Sequence, residues 1–287
     1  VGTGGPAEYF SRAGSGEELS ELIAWAQESH LKLNVIGSGS NMLVADEGVR
    51  GLVVKLDGDL ARITFAGSTV ECGGGARLPS VAAKAAGEGL TGLEFGVSIP
   101  GTVGGAVRMN ANAYGGELAK TLRWVDVATA EGVERRDPAS FDFAYRRSNL
   151  REGEVVCGAS FELQVARSED VKSELADLRA RRKATQPWGV KTFGSTFKNP
   201  SDPRAEGKSS GQLLDAAGCR GLQIGAAGFS DKHANFVINH GGATTAEVIS
   251  VMTAGREMVF EMFGVALEPE VQTLGPVQLP AEWMVES

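Results

Sequence analysis

The sequence predicts an α+β protein with a larger N-terminal domain and a smaller C-terminal one. Three observations lead there. Helix, strand, glycine loop and strand patterns follow one another at the start of the chain. Two capping-box signatures, Ser15-Gly16-Glu17-Glu18 and Thr244 to Glu247, introduce apolar runs at helical spacing. Gln186-Pro187-Trp188-Gly189 then interrupts the pattern after a long helix and places a domain boundary near 180–187.

Each element has a local reason. Ser15 caps a helix carrying Leu19, Leu22, Ile23 and Ala26 on one face, and His30 ends it at the surface. Residues 31–36 and 51–56 read as strands, with Gly37-Ser38-Gly39-Ser40-Asn41 directly after the first. Residues 69–72 form a further strand ending in three glycines, and Pro79 opens a helix that Gly87 or Gly89 stops. Residues 122–128 read as a strand. Val155, Cys157, Ala159, Phe161, Leu163 and Val165 alternate with other residues, as in a strand with one buried face. Ser168 caps a helix to about residue 184, whose basic end (Arg179, Arg181, Arg182, Lys183) complements the helix dipole. Beyond the boundary come a helix over 210–217 stopped by Gly218 and a strand over 235–239 with Phe236 and Ile238 alternating. The helix opened by Thr244 runs to Gly264, with Met252, Met258 and Met262 as core fill. The tail from about Gln272 is expected to pack loosely.

Composition excludes several classes. Apolar residues are 42% and charged residues 22% of the chain, so a core can form and the chain is unlike a disordered one. The net charge of −8 argues against non-specific binding to nucleic acid or anionic membranes. Cys72, Cys157 and Cys219 are odd in number and widely spaced, giving neither a disulfide framework nor a zinc spacing. With no HExxH among the three histidines, no metal is expected, and the composition suits a reducing compartment. No membrane span or signal peptide is visible.

Glycine is the outlier at 39 of 287 residues, gathered at 37–39, 73–75, 101–105 and 115–116. Such clusters serve tight turns or close backbone approach to a ligand, and composition alone leaves both open. VIGSGSNML, residues 35–43, is neither GxGxxG nor a Walker A loop, yet after a strand it can present several N–H groups to a phosphate. SIPGTVGGAVRMNANAYGG, residues 98–116, joins flexible glycines to the polar tips of Arg108, Asn110, Asn112 and Tyr114. Two such loops in one domain point to a long ligand with a diphosphate in its middle. Gly194-Ser195, in GSTFKNP, reads by itself as a turn or a nucleophile, although no GxSxG elbow surrounds it.

At this point the chain resembles a known family. VIGSGSNMLV (35–44), EFGVSIPGTVGGAVRMNANAYGGE (94–117), FAYRRS (143–148), GSTFKNP (194–200) and LEPEV (267–271) are similar to motifs of UDP-N-acetylenolpyruvoylglucosamine reductase, in that family's order over nearly the whole chain. The resemblance implies the FAD-binding α+β fold of vanillyl-alcohol-oxidase-like (PCMH) flavoproteins. It implies an FAD-binding domain over 1–180, in two α+β subdomains split near 60–68. A substrate domain would span 185–265, and a segment over 266–287 would return to the active site. NADPH would reduce the flavin, and UDP-N-acetylglucosamine enolpyruvate would become UDP-N-acetylmuramate for peptidoglycan in the bacterial cytoplasm. The chain would act as a monomer or weak homo-oligomer.

In that chemistry hydride adds to C3 of the enolpyruvyl group, negative charge develops at C2, and a proton must reach C2. By resemblance Ser195 donates that proton, Arg146 holds the substrate carboxylate, and Glu270 supplies or relays a proton or orients a water. Cofactor contacts fall on Ile36, Gly37, Ser38, Gly39, Ser40, Asn41 and Met42, and on Pro100, Gly101, Thr102, Gly104, Gly105, Ala106 and Asn110. Tyr145, Arg146, Lys198, Asn199 and Asn235 are assigned to substrate.

This sequence departs from the family at three places. Gln272 stands where the glutamate motif commonly has arginine, and Lys191 is the offered replacement. Lys191-Thr192-Phe193 precede Gly194 where smaller or prolyl residues are usual. The region between Arg146 and Phe161 is short, as in the second subtype, and offers no counterpart to the long-loop tyrosine. A flavin oxidase of a hydroxy acid or sugar would share the glycine loops without the Ser195, Arg146 and Glu270 set. A non-catalytic nucleotide-diphosphate binder would not need Ser195.

Overall fold

The computed structural model of the chain describes residues 1–280 and Trp283. Its backbone forms two compact units interleaved in sequence: Ala7–Ser38 with Arg50–Arg182, and Val1–Pro6 with Gly39–Val49 and the described residues from Lys183 onward. A single cut near 180 does not describe them, because two N-terminal stretches pack with the C-terminal unit. Of segment 266–287, residues 281, 282 and 284–287 lie outside the described residues.

The larger unit holds two sheets. Strands Ala7–Ala13, Val49–Leu56 and Leu33–Val35 form one, in that order. The other has five antiparallel strands, in the order Gly132–Arg136, Leu122–Thr129, Val155–Glu162, Thr69–Gly73 and Ile63–Ala66. Val155–Glu162 is central, and every residue but Glu162 is buried. One buried face was expected, but both are covered. Val155 and Cys157 join a cluster with Leu19, Ile23, Leu52 and Val54, whereas Val156, Ala159 and Phe161 join Val70, Val103, Val107 and Val125. A bulge reverses the alternation: Asp126 pairs with Gly158 and Val127 with Val156, which leaves Cys157 as the extra residue. Val165, at the end of the expected stripe, is 80% exposed.

Local signals at helix starts act largely as expected. Ser15 Oγ accepts the Glu18 N–H, but Glu18 Oε2 reaches one residue further back, to the Gly14 N–H. Ser168 lies inside helix Ser168–Thr185 and its hydroxyl donates to Ala86 O, 2.8 Å away, instead of capping. The basic end of that helix has tertiary contacts: Arg182 donates to Ser98 O, and Arg181 lies 5.0 Å from the Tyr114 ring centroid.

The smaller unit is a four-stranded antiparallel sheet, in the order Lys191–Ser195, Phe236–Asn239, Ala227–Phe229 and Gln223–Ile224, with helices Ser210–Ala216 and Thr245–Phe263. The Thr244–Glu247 capping box is complete, and Ser209 with Gln212 forms another that the sequence reading did not single out. In Phe236–Asn239 the buried residues are Phe236, Val237 and Asn239, with Ile238 only half-buried. Met252 is buried, but Met262 is 57% exposed and fills no core. The tail is not loose: Gln272–Leu274 forms a parallel ladder with Met42–Val44.

Burial on both faces predicts that Val155→Ala and Val156→Ala each cost more than about 1 kcal/mol, as buried truncations do. Val165→Ala should stay within about 0.5 kcal/mol. Urea denaturation of the three variants checks this, and a neutral Val155→Ala or Val156→Ala would contradict double-sided burial.

Candidate active site

Ser195 ends strand Lys191–Ser195 and is half-buried. Just before it, Gly194 takes φ +83°, a left-handed value that L side chains rarely adopt. The ladder to the neighbouring strand slips between Thr192 and Ser195, and Ser195 then pairs with Phe236.

After Ser195 the chain is held from two sides. On one side the Glu270 N–H donates to Thr196 O at 2.8 Å, the Lys198 N–H donates to Glu268 O at 2.9 Å, and Phe197 bridges Pro269. The serine and glutamate motifs are thereby hydrogen-bonded along their backbones, which brings Ser195 and Glu270 into one neighbourhood. On the other side the Thr196 N–H donates to Asn235 O at 2.8 Å. The Asn235 side chain is buried, its Oδ1 accepting the Phe197 N–H and its Nδ2 donating to Phe197 O, both at 2.9 Å. Asn235 was expected to meet substrate, but its amide is spent on the backbone beside Ser195.

The other expected residues of this unit are close by. Asn41 Nδ2 donates to Glu270 O at 3.2 Å, and Asn41 O accepts the Gln272 N–H. Lys198 Nζ pairs with Glu268 Oε2 at 3.2 Å, a partner for which the sequence held no signal. Asn199 Oδ1 accepts the Ser210 N–H at the start of a helix. Gln272 Nε2 donates to Glu270 O at 3.2 Å, so the residue in the arginine position binds the glutamate's own carbonyl. Lys191 does not replace that arginine: it pairs with Asn239, at the far end of its strand from Ser195.

In the larger unit, Tyr145 and Arg146 sit at the tip of a tight turn, with Ala144 and Arg147 exchanging both backbone hydrogen bonds. Arg146 takes φ +57°, and Asn110, Tyr114 and Asp142 are also left-handed. Backbone strain of this kind concentrates where a side chain must be aimed. Arg146 Nη1 donates to Asn112 Oδ1 at 3.1 Å, and its guanidinium lies 5.1 Å from the Tyr145 ring centroid. Asn110 is buried, and its Nδ2 donates to Glu117 Oε1 at 2.9 Å and to Ala144 O at 3.3 Å. Expected as a cofactor contact, Asn110 braces the Arg146 turn. Its buried Oδ1 has no hydrogen-bond partner among the described residues.

The two glycine loops differ in what they can hold. Among the described residues, none of the five backbone N–H groups of residues 37–41 donates a hydrogen bond, and the loop adds the hydroxyls of Ser38 and Ser40. Ile36 commits its N–H to Val54 O, and Met42 belongs to the ladder with Gln272. In the second loop the N–H groups of Gly101, Gly104 and Ala106 already serve Ile99 O, Gly74 O and Thr102 O. Its part is shape: a Cβ on Gly104 would come 2.9 Å from Val156 O, and a Cβ on Gly37 would come 2.6 Å from Thr102 Oγ1. Pro100 and Gly105 stay exposed on this loop. A donor-rich glycine loop of this kind fits the diphosphate of FAD.

Burial pushes the thiols of Cys72 and Cys157 up to about 12, and Cys219 up to about 11, so all three stay protonated at neutral pH. No three metal-ligating side chains gather among the described residues, and no described helix is long and apolar enough to cross a membrane.

The matches to known proteins make the chain a flavin-dependent oxidoreductase with an α+β FAD-binding fold. The FAD binding domain model matches residues 7–136, and the model for the UDP-N-acetylenolpyruvoylglucosamine reductase C-terminal domain matches residues 186–274. UDP-N-acetylenolpyruvoylglucosamine reductase 2 of Symbiobacterium thermophilum is 42% identical, over 96% of this chain and 88% of that protein. The reductase of Gluconobacter oxydans is 41% identical, over 95% of this chain and 87% of its own. The crystal structure of the reductase from Thermus caldophilus matches with a TM-score of 0.80 and 33% identity, over 92% of this chain and 91% of that one. The chain belongs to the UDP-N-acetylenolpyruvoylglucosamine reductase family.

His233 lies beside the serine loop. Burial, and next the charge of Arg220, hold its pKa below the ordinary 6.5 against the opposing pull of a backbone hydrogen bond and of Asp215, and its Nδ1 accepts the Asn235 N–H at 3.2 Å. A depressed histidine pKa means that the unfolded chain takes up protons first as pH falls. This contribution to stability is present above about pH 6.5 and is lost below it. The urea midpoint of the protein should therefore drop more steeply than that of His233→Gln on going from about pH 7.5 to about pH 5.5; parallel profiles would count against a neutral, half-buried His233.

Proposed function

We infer that the chain reduces the enolpyruvyl ether of UDP-N-acetylglucosamine enolpyruvate to the lactyl ether of UDP-N-acetylmuramate, in peptidoglycan precursor synthesis. The observation that carries the residue-level reading is the backbone pairing of residues 196–198 with 268–270, which joins a candidate acid to a candidate relay. Bound FAD, reduced by NADPH, supplies the hydride that reaches C3 of the enolpyruvyl group.

The chain's own residues handle charge, position and the proton. The N–H groups of residues 37–41 hold the diphosphate of FAD, and Thr102, Gly104 and Gly105 shape the adjoining wall. Arg146, aimed by Asn112 and by its left-handed backbone, binds the substrate carboxylate. Its fixed charge favours the negative charge that spreads from C2 into that carboxylate. Ser195 Oγ gives its proton to C2 and regains one through Glu270. Lys198 and Asn199 bind the nucleotide-sugar portion. The enzyme works in the bacterial cytoplasm, a reading supported by its protonated, unpaired thiols and its bacterial relatives.

The test is an anaerobic absorbance trace in the flavin region, adding NADPH and then UDP-N-acetylglucosamine enolpyruvate. Bleaching followed by substrate-dependent recovery is expected. Bleaching without recovery would indicate a different flavin substrate, and a colourless protein that cannot be reconstituted with FAD would overturn the reading.

Ser195→Ala should keep FAD and reduction by NADPH while substrate-dependent reoxidation slows by about 10²–10⁴-fold, the range for a positioned acid. Normal reoxidation in that variant would remove Ser195 as the donor. Arg146→Ala should weaken substrate binding and also slow reoxidation at saturating substrate by about 10²-fold or more; an unchanged saturating rate would limit Arg146 to binding.

A further inference from the structure

We propose that Asn235 is a positioning residue for Ser195, its side-chain amide fixing the backbone just beyond the serine and so aiming the hydroxyl. This rests on Ser195 as proton donor. The strand carrying Ser195 loses its ladder between Thr192 and Ser195, where Gly194 turns left-handed. A β-ladder normally dictates where each side chain points. Here the ladder slips one residue before the reacting group, so something else must restore the path.

Asn235 does so with three hydrogen bonds. Its main-chain O takes the Thr196 N–H at 2.8 Å, and its side chain takes both the N–H and the C=O of Phe197 at 2.9 Å. A primary amide presents a donor and an acceptor side by side, as a peptide group does, so it completes the ladder in place of a strand. No other side chain of this length does the same. Aspartate lacks the donor, leucine lacks both groups, and glutamine adds a methylene to a packed site. Asn235 is itself fixed, with its N–H on His233 Nδ1 and only 4% of its surface exposed. Across from it, Glu270 and Glu268 bond Thr196 and Lys198, so the path after Ser195 is constrained on both sides.

The claim separates from a general structural role because it touches one half-reaction. Asn235→Ala and the isosteric Asn235→Asp, both loaded with FAD, are compared with the unaltered protein by stopped-flow absorbance. Flavin reduction by NADPH and the dissociation constant for UDP-N-acetylglucosamine enolpyruvate should be unchanged. Reoxidation at saturating substrate should slow by about 10–100-fold, the penalty of a misplacement near 1 Å. In a Ser195→Ala background, Asn235→Ala should add less than about 2-fold, since residues acting through one another are not additive. The aspartate variant decides the matter should the alanine variant fail to fold.

Unchanged reoxidation in the folded variant would overturn the proposal. So would a raised dissociation constant with an unchanged saturating rate, which would make Asn235 a substrate contact. A full additive loss on Ser195→Ala would overturn it as well. Normal reoxidation by Ser195→Ala itself would instead bring down the proton-donor reading, whatever Asn235 does.

Discussion

Backbone pairing between residues 196–198 and 268–270 is the constraint around which the smaller unit's chemistry is arranged. Neither segment is a full strand partner of the other; a single bridge at Phe197 and Pro269 with two flanking hydrogen bonds does the work. Main-chain hydrogen bonds fix both position and direction, so a serine and a glutamate distant in sequence share one neighbourhood without any side-chain contact being required. Phe197 is buried at this junction and meets the Trp283 ring edge-on, with centroids 6.3 Å apart, which gives the pairing an apolar floor.

The larger unit solves a different problem. It must expose glycine-lined backbone to a charged cofactor and still keep a dry core. The central strand Val155–Glu162 reconciles the two by presenting apolar side chains to both of its faces, with the extra residue at Cys157 allowing the switch. The second glycine loop then lies against main chain, as the approach of Gly104 to Val156 O shows. Asn110 and Asn112, in the stretch that follows, hold the turn of Arg146.

What could be read from the sequence was mostly local chemistry. Thr244 and Glu247 announce their helix because both partners of the box lie within one turn. Gly37-Ser38-Gly39-Ser40-Asn41 reads as an anion cradle because a small, donor-rich loop after a strand has few other uses. The motifs for Ser195, Arg146 and Glu270 were legible through family resemblance, not through spacing. Non-local effects were hidden. Nothing near Val155 signals that a bulge will reverse its strand's alternation. Asn235 looks like any polar residue of a loop until its amide is found on Phe197. Gln272 stands where an arginine is usual, and only the fold shows that it binds the carbonyl of Glu270.

The parallel ladder between Gln272–Leu274 and Met42–Val44 also orders events in time. Its strands are about 230 residues apart in the chain, a closure whose entropy must be met before its contacts stabilise anything. At a synthesis rate of about 5–20 residues per second, the first strand waits roughly 10–50 s for its partner to be made. Throughout that interval the edge of Met42–Val44 lacks its native cover, and the glutamate two residues ahead of the late strand does not yet exist. A growing chain thus completes the shared neighbourhood of Ser195 and Glu270 only at a late step, after every other strand has been made.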